Sequence, residues 1–569
     1  MNNITPRVFC LNALKGAIAT LILAVVVAGV SHTSSTALIP RAEAAAAPAP
    51  AQKPNILMIV ADDLGYADLS LYGSEIQTPN IDTLARNGMI LDNFYTGFTC
   101  SPTRSMLMSG MDSHLAGVGV QGGSNRPDHK DQPGYVGYLN FRVASLAEVM
   151  SDAGYNTYMA GKWHLGSSRD KISTGPHARG FKQVFASVDG AAHLGGWDWR
   201  GPQNSEYYEN DNIVNVGPDW YTTRDYTKKM IGYIEADRKE NKPFFAYMAY
   251  TAPHWPLQAP DESIAKFKGK YDQGYEALYA SRFARQKEMG ILPKGAELID
   301  NARFNPRWDT LTEEQKKIEA RHMEIYAAMV SDLDHYVGEL IAYLKGINQF
   351  DNTFIIFMSD NGAESSRTDL GQNIQQHVGK AYDHRLENLG RANSYVMYGA
   401  NWASAGEAPF FRHKATAFEG GSHVPAFVYY PNLVKPGTHA GGVSTVRDVM
   451  PTILALTGTP QPGAKFRGRD VLPIQGVSML PMLQGTTKSI HSDSEIIGSE
   501  LSGHRYVRQG DWKIVWDQAE RPPESRAWKL YNLEQDPSEQ HDLSKSNPEK
   551  LNQMIKNWDQ YARDNGVIY

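Results

Sequence analysis

Three runs along the chain are apolar at nearly every position rather than at alternate ones: Ile56 to Ala61, Phe244 to Tyr250 and Phe354 to Met358. Unbroken runs this short, bounded by polar segments, mark strands buried on both faces of a parallel sheet. Elsewhere the apolar positions recur at helical spacing. Val143 to Ala153 does so and stops before Gly154, and Glu313 to about Lys345 does so over many turns. Val446 to Thr457 is opened by Thr445, with Asp448 three residues on, and closed by Gly458. Strands alternating with helices predict an α/β fold, a large and mostly parallel sheet sandwiched by helices. After about Gly485 the runs shorten and alternate, as in Tyr506-Val507-Arg508, Trp512 to Trp516 and Trp528 to Tyr531. They predict a small antiparallel sheet, with a last helix from Pro548 to Asn565 packed on it. The expected division is a main domain over 54–485 and a smaller α+β subdomain over 486–569.

Charge and the N-terminus narrow the function. The 56 basic and 62 acidic residues are spread without long runs of one sign, for a formal charge of -6, so no basic stripe is present to bind nucleic acid. Arg7 and Lys15 precede an apolar run from Gly16 to Val30, and small residues follow around Ala42-Glu43-Ala44, the layout of a signal peptide. Residues 1–44 are therefore expected to leave on export through the secretion machinery, with 45–53 as an Ala/Pro-rich linker. The run of about fifteen residues falls short of the ~20 that a bilayer span needs, and no later segment is apolar enough to make one. Cys10 leaves with the signal peptide, so the mature chain keeps Cys100 alone and makes no internal disulfide. A leftover cysteine in an exported protein points to intermolecular pairing or to special chemistry, with an inert buried residue as the commoner role of cysteine in general.

Polar residues gather where the apolar runs end. Asp62-Asp63 follow the first run, Ser359-Asp360-Asn361-Gly362 follow Met358, His254 comes soon after Tyr250, and Thr157 to Ala160 leads into Gly161-Lys162-Trp163-His164. Ligands of open α/β sheets bind outside the carboxyl ends of the strands, so these distant residues are expected to converge. Three carboxylates and an amide oxygen suit a hard cation, Ca²⁺ before Mg²⁺. The segment Cys100 to Gly110 predicts a helix with Ser101 as N-cap and Pro102 at its first position. Cys100 then lies at a helix N-terminus, which favours an anion, and Arg104 points back toward it. Gly117 to Gly122 fits G-x-G-x-x-G but follows a helix pattern rather than a strand, and reads as a flexible loop. Gly195-Gly196-Trp197-Asp198-Trp199 offers aromatics that either line a pocket or anchor their own loop.

Cys100-Ser101-Pro102-Thr103-Arg104 resembles the C-x-P-x-R signature of the formylglycine-dependent sulfatases, members of the alkaline-phosphatase superfamily, and the chain is closely similar to their bacterial arylsulfatase branch. Asp62-Asp63, Gly161 to His164, Thr251 to Pro256, Asp360-Asn361-Gly362, His413 to Thr416 with Lys414, and Glu419-Gly420-Gly421 look like that family's pocket segments, in its order. The resemblance extends to Tyr531-Asn532-Leu533 and Asp536-Pro537, and so covers nearly the whole mature chain. It implies an alkaline-phosphatase-like fold and hydrolysis of sulfate monoesters, aryl sulfates first among them. It also implies a maturation enzyme that oxidises Cys100 to formylglycine (3-oxoalanine), whose hydrate is the nucleophile. One Ca²⁺ ion would be held by Asp62, Asp63, Asp360, Asn361 and the modified Cys100. Lys162 and Lys414 would hold the sulfate, Arg104 the hydrate, His254 would protonate the leaving alcohol and His164 would serve collapse of the enzyme-bound sulfate ester. With the signal peptide, this places the enzyme in the periplasm or outside the cell. Two alternatives stay open, a phosphonate monoester or phosphodiester hydrolase of the same superfamily and a non-catalytic Ca²⁺-stabilised binding protein whose Cys100 stays a thiol.

Overall fold

The structure, a computed structural model, describes residues 53–121, 126–167, 173–188, 192–198, 201–293, 295–298, 304–367 and 382–568. The signal peptide, nearly all of the 45–53 linker, Cys10, Gly122 and Trp199 lie outside them.

The apolar runs form the middle of a ten-stranded sheet. Its strands are β1 (Asn55–Ala61), β2 (Met89–Leu91), β4 (Asn156–Lys162), β5 (Gln183–Ser187), β6 (Tyr207–Glu209), β7 (Asn212–Val214), β8 (Phe244–Ala249), β9 (Thr353–Ser359), β10 (Ala426–Tyr429) and β11 (Thr438–Ala440), while β3 (Phe94–Tyr95) pairs outside it with β12 (Ser444–Thr445). The order is β11-β2-β10-β9-β1-β8-β4-β5-β6-β7. From β9 to β5 the strands run parallel, and β10, β6 and β7 pair antiparallel. The unbroken apolar pattern follows from the two cores. Leu57 and Ile59 pack on one face with helices α1 (Pro79–Arg86), α4 (Thr222–Asp237), α5 (Asp261–Ala265), α6 (Gly274–Glu288) and α7 (Glu313–Gly346). Ile56, Met58 and Val60 pack on the other with α2 (Cys100–Ser109) and α3 (Leu146–Asp152). Alternate residues thus face opposite cores, and neither set has water to meet.

Local signals set the helix ends. Thr312 accepts from the Gln315 N–H to start α7, and at the start of α3 the Ser145 N–H donates to Glu148 at 2.8 Å, which makes that helix shorter than the predicted span from Val143. The expected box of Thr445 and Asp448 is present, opening a short 3₁₀ turn that runs into the helix Val449–Leu456. One expectation is corrected. The N-cap of α2 is Thr99, not Ser101: Thr99 is extended and its carbonyl accepts the Thr103 N–H, so Cys100 is the first helical residue and Pro102 the third. Proline is tolerated there because that N–H has no helical partner in any case. Gly117 to Gln121 forms a loop as expected, but it is packed rather than free, with Val118 buried and the Gly119 N–H on the Gly134 carbonyl.

A hairpin of β13 (Lys465–Phe466) and β14 (Arg469–Asp470) precedes the predicted small antiparallel sheet, which is β15 (Ile497–Leu501), β16 (His504–Gln509), β17 (Trp512–Trp516) and β18 (Lys529–Asn532) in that order. Val507, Ile514 and Leu530 face the helix Pro548–Asn565, while Tyr506, Val515 and Tyr531 face Phe98 and Phe418. The small sheet is therefore packed against the segment leading into α2. Among the described residues no helix is long and apolar enough to cross a membrane.

Candidate functional site

Parallel pairing brings the polar residues that follow β1, β8 and β9 and the end of β4 to one edge of the sheet. Asp62 donates its N–H to the Ala252 carbonyl and Asp360 to the Ala61 carbonyl, so the strand-end loops are stitched side by side. Asp63 turns into the left-handed region, φ 68°, which aspartate tolerates, and donates its N–H to Asp360 Oδ1 at 3.2 Å. At Gly362 an added Cβ would lie 1.8 Å from the Gly420 carbonyl oxygen, so only glycine lets the loop after β9 pass so close to the segment carrying Lys414. That segment is pinned by Lys414 N–H on the Ala363 carbonyl and Ala415 N–H on the Phe98 carbonyl.

Cys100 enters the cluster from the start of α2. Its Sγ lies 3.3 Å from Asp62 Oδ1 and 3.7 Å from Asp63 Oδ1, and it is wholly buried. Lys162 Nζ is 2.7 Å from Asp62 Oδ2, and Lys414 Nζ is 2.7 Å from Asp63 and 2.9 Å from Glu364. His254 Nε2 stands 3.5 Å from Asp63, and the other ring nitrogen bonds the Trp255 carbonyl. Arg104 and the cysteine both approach Asp62 Oδ1, and the direct hydrogen bonds of the guanidinium go to Asp360 and the Lys162 carbonyl. Its Nε and Nη2 form a fork on Asp360 Oδ2 at 2.9 and 2.7 Å, Nη1 donates to the Lys162 carbonyl at 2.8 Å, and Asp62 is 3.6 Å away. His164 follows β4 and takes a positive φ of 55° while its N–H donates to the Val188 carbonyl.

Burial dominates the electrostatics, and neighbours then decide each direction. Burial pushes Asp62 up, yet Lys162, His254 and Arg104 outweigh it and hold that carboxyl well below the usual range. Burial raises Asp63 against the pull of Lys414, helped by Asp62 and Glu364, and it raises Asp360 as well, helped by Asp62. Both histidines are held neutral, His254 and His164 each by burial and then by Lys162. The Cys100 thiol is pushed well above its usual value by burial, Asp360 and Asp62.

The donor set can hold a metal ion. Asp62, Asp63, Cys100 and His254 each offer an atom within 4.8 Å of the others. Asn361 donates its amide N–H to Asp63 at 2.7 Å, but its buried Oδ1 accepts no hydrogen bond, leaving an oxygen donor without a partner. All the residues singled out from the pattern of strand ends and the cysteine motif thus lie at this edge. Glu364 was missed although it follows Asp360 on the same strand-end loop, a signal that could have found it. Tyr247, whose hydroxyl accepts from Arg104 Nη1 at 3.4 Å, sits inside an apolar run and gave no signal.

The sulfatase family model matches residues 54–459, and a model described as the C-terminal part of N-sulphoglucosamine sulphohydrolase matches residues 406–561. An uncharacterized sulfatase of Schizosaccharomyces pombe is 42% identical over 536 residues, 91% of this chain and 95% of the relative. The arylsulfatase of Klebsiella aerogenes is 37% identical over 433 residues, 75% of this chain and 91% of the relative. Among solved structures, that of Ps i-CgsB in complex with k-i-k-neocarrahexaose matches with a TM-score of 0.64 at 26% identity, covering 91% of this chain and 94% of that one.

Proposed function

The chain belongs to the sulfatase family and is a sulfuric ester hydrolase, and from that premise we propose that it acts on aryl sulfate monoesters through a formylglycine made from Cys100. The observation that carries this reading is the placement of Cys100 Sγ, first residue of α2, 3.3 Å from Asp62 inside a buried ring of acids and cations. Held protonated as it is by burial and the nearby acids, an unmodified thiol there would be a poor nucleophile. A hydrated aldehyde does not need a thiolate. The arylsulfatase relative from Klebsiella supports the aryl substrate.

Charge supports the partner ion. Asp62, Asp63, Asp360 and Glu364 meet Arg104, Lys162 and Lys414, four carboxylates against three cations. A divalent cation would leave one positive charge over, and a sulfate monoester brings one negative charge. Asp62, Asp63, Asp360, Asn361 and the modified Cys100 would hold one Ca²⁺, which when bound supplies Lewis-acid polarisation of a sulfate oxygen.

The chain's own residues do the rest. Lys162 and Lys414 set positive charge against the sulfate oxygens, and the free N–H groups at the start of α2 add to it. One hydroxyl of the formylglycine hydrate passes its proton to Asp63, whose carboxylate lies beside Cys100, and attacks sulfur as the bond to the leaving oxygen breaks, while His254 gives that oxygen a proton. Burial keeps His254 neutral, but a bound sulfate opposes that shift by favouring its protonated form. The second hydroxyl then loses its proton with His164 as base, the carbon–oxygen bond to sulfate breaks, and the aldehyde returns and takes up water. Arg104, held by Asp360 and the Lys162 carbonyl, positions this edge.

A maturation enzyme for Cys100 and export to the periplasm through the signal peptide complete the reading. Peptide mass spectrometry of the exported protein tests it: formylglycine at Cys100 is expected, and a uniform thiol in fully active enzyme would falsify the proposed nucleophile.

A further inference from the structure

Beside His254 a series of aromatic rings leads away from the site. The His254 and Trp255 ring centroids are 4.7 Å apart, Trp255 and Tyr395 5.8 Å, and Tyr395 and Tyr382 5.2 Å. Stacked rings of the core such as Phe357 and Phe427 are wholly buried, but Trp255, Tyr395 and Tyr382 are partly exposed. They come from loops that are laced together underneath. Buried Gln258 donates to the Ala392 and Ser394 carbonyls at 3.1 and 2.8 Å and accepts from the Leu194 N–H at 3.0 Å. Buried His193 donates from Nε2 to the His254 carbonyl at 2.9 Å and accepts from the Thr222 hydroxyl at Nδ1, and Leu257 N–H donates to the Val396 carbonyl. Partly exposed aromatic rings held this firmly are already in place for a flat partner, with little ordering still to be done on binding.

Two carboxylates lie at the edge of these rings, Glu364, which is paired with Lys414 at 2.9 Å, and Asp198. The Trp255 ring N–H donates to Glu364 at 3.1 Å, which orients the indole. Asp198, on the loop with Trp197, is close enough to Tyr382 to add to burial and Tyr395 in resisting loss of its phenol proton. His413, near Glu364, is kept neutral by burial, its pKa down to about 4. A leaving group carrying its own negative charge would meet these carboxylates.

We propose that Trp255, Tyr395 and Tyr382 form the leaving-group subsite, which takes an uncharged aromatic ring with its ester oxygen toward His254 and disfavours anionic leaving groups. The subsite rests on the reading of His254 as the acid of a sulfate ester hydrolase. It accounts for an aromatic substrate by stacking and for selectivity by charge.

The test compares phenyl sulfate, 4-carboxyphenyl sulfate, a linear alkyl sulfate and a hexose sulfate on the matured wild type, Tyr395→Ala, Tyr395→Phe and Asp198→Asn. Tyr395→Ala is expected to raise KM for phenyl sulfate roughly three- to tenfold with kcat little changed, and to leave the alkyl sulfate within about twofold. Tyr395→Phe, which keeps the ring, should behave as wild type. Wild type should bind 4-carboxyphenyl sulfate less well than phenyl sulfate, and Asp198→Asn should narrow that gap. Equal losses on phenyl and alkyl sulfates would mean that Tyr395 only supports the fold, and a larger loss on the hexose sulfate than on phenyl sulfate would make this a sugar site. Either result overturns the proposal. Calorimetric binding of phenol alone reads the subsite without turnover. Weaker binding by Tyr395→Ala in a protein that hydrolyses no sulfate ester would keep the subsite and sink the catalytic reading, whereas unchanged phenol binding would sink the subsite alone.

Discussion

The protein contains two clusters of buried charge, and they are built differently. At the strand ends, four carboxylates face three cations, Asp63 and Asp360 are pushed up by burial and by their acidic neighbours, and Asn361 keeps an oxygen without a partner. Where the small sheet meets the main domain, Lys513 lies 2.7 Å from Glu419 and 3.0 Å from Glu539. Glu419 also accepts from the Tyr95 hydroxyl at 2.7 Å, and Arg508 reaches that same hydroxyl. Two carboxylates meet two cations there and both acids are engaged by Lys513, although burial, helped by Glu419, still lifts Glu539 to about 7. The residues of both clusters are buried to a similar degree. Burial of charge by itself therefore does not mark a working site. What sets the strand-end cluster apart is its surplus of one carboxylate over its cations, because uncompensated buried charge is costly and is relieved by a ligand that completes it. The complete cluster still serves the incomplete one, since Glu419 follows Lys414 by a few residues and anchors its segment to the small sheet.

The comparison can be broken most severely at His254. If the strand-end cluster is finished by substrate, His254→Ala should leave activated aryl sulfates little affected, while poorly activated ones lose up to ~10²–10⁴-fold in kcat/KM. A leaving-group series measures this, and parallel lines for wild type and variant would remove His254 from the acid role. Asp63→Asn separates function from stability. Activity should fall by roughly 10²–10³-fold, while the metal-free protein keeps or gains Tm, because the variant removes one excess negative charge and Lys414 retains Glu364 at 2.9 Å.

Lys513→Met should do the reverse. Leaving Glu419 and Glu539 buried without their cation should cost about 3–5 kcal/mol of stability by denaturant unfolding, with kcat of the folded enzyme within a few-fold of wild type. If Asp63→Asn destabilised the metal-free protein as much as Lys513→Met does, the distinction between the two clusters would fail.

The smallest effect concerns another tie between the small sheet and the main domain. His114 is buried between Asp112 at 2.9 Å and Glu500 at 3.0 Å. Burial opposes its charge, but the bonds to both carboxylates win and lift its pKa to about 9. A histidine raised on folding stabilises the folded state fully below its unfolded pKa of about 6.5, and that contribution disappears as pH rises through about 9. Up to about 3 kcal/mol should be lost across that window. Unfolding midpoints measured from pH 6 to pH 10 should show the fall in wild type and a flatter profile in His114→Gln, and identical slopes would exclude His114 as the cause.

Much was legible along the chain because it depends on near neighbours. Ile56 to Ala61 and Phe354 to Met358 could be read as doubly buried strands, since an unbroken apolar run has no face to offer water. Thr312 with Gln315 and Thr445 with Asp448 carry their own helix starts, and Asp62-Asp63, Asp360-Asn361 and Lys162 announce themselves by following such runs. The start of α2 was misread by two residues because Ser101 and Thr99 are equally able caps, and only the extended backbone imposed on Thr99 by its surroundings selects between them. Partnership is what tertiary structure alone decided. Arg104 forks onto Asp360, Lys414 pairs with Glu364 as well as Asp63, Lys513 reaches Glu419, and Trp255 finds Tyr395, all across long stretches of chain. A side chain's type states what it can bond, but which of many distant groups it meets depends on the order in which strands lie beside one another. That order is set by packing two cores at once, a property of the whole sheet and of no single segment.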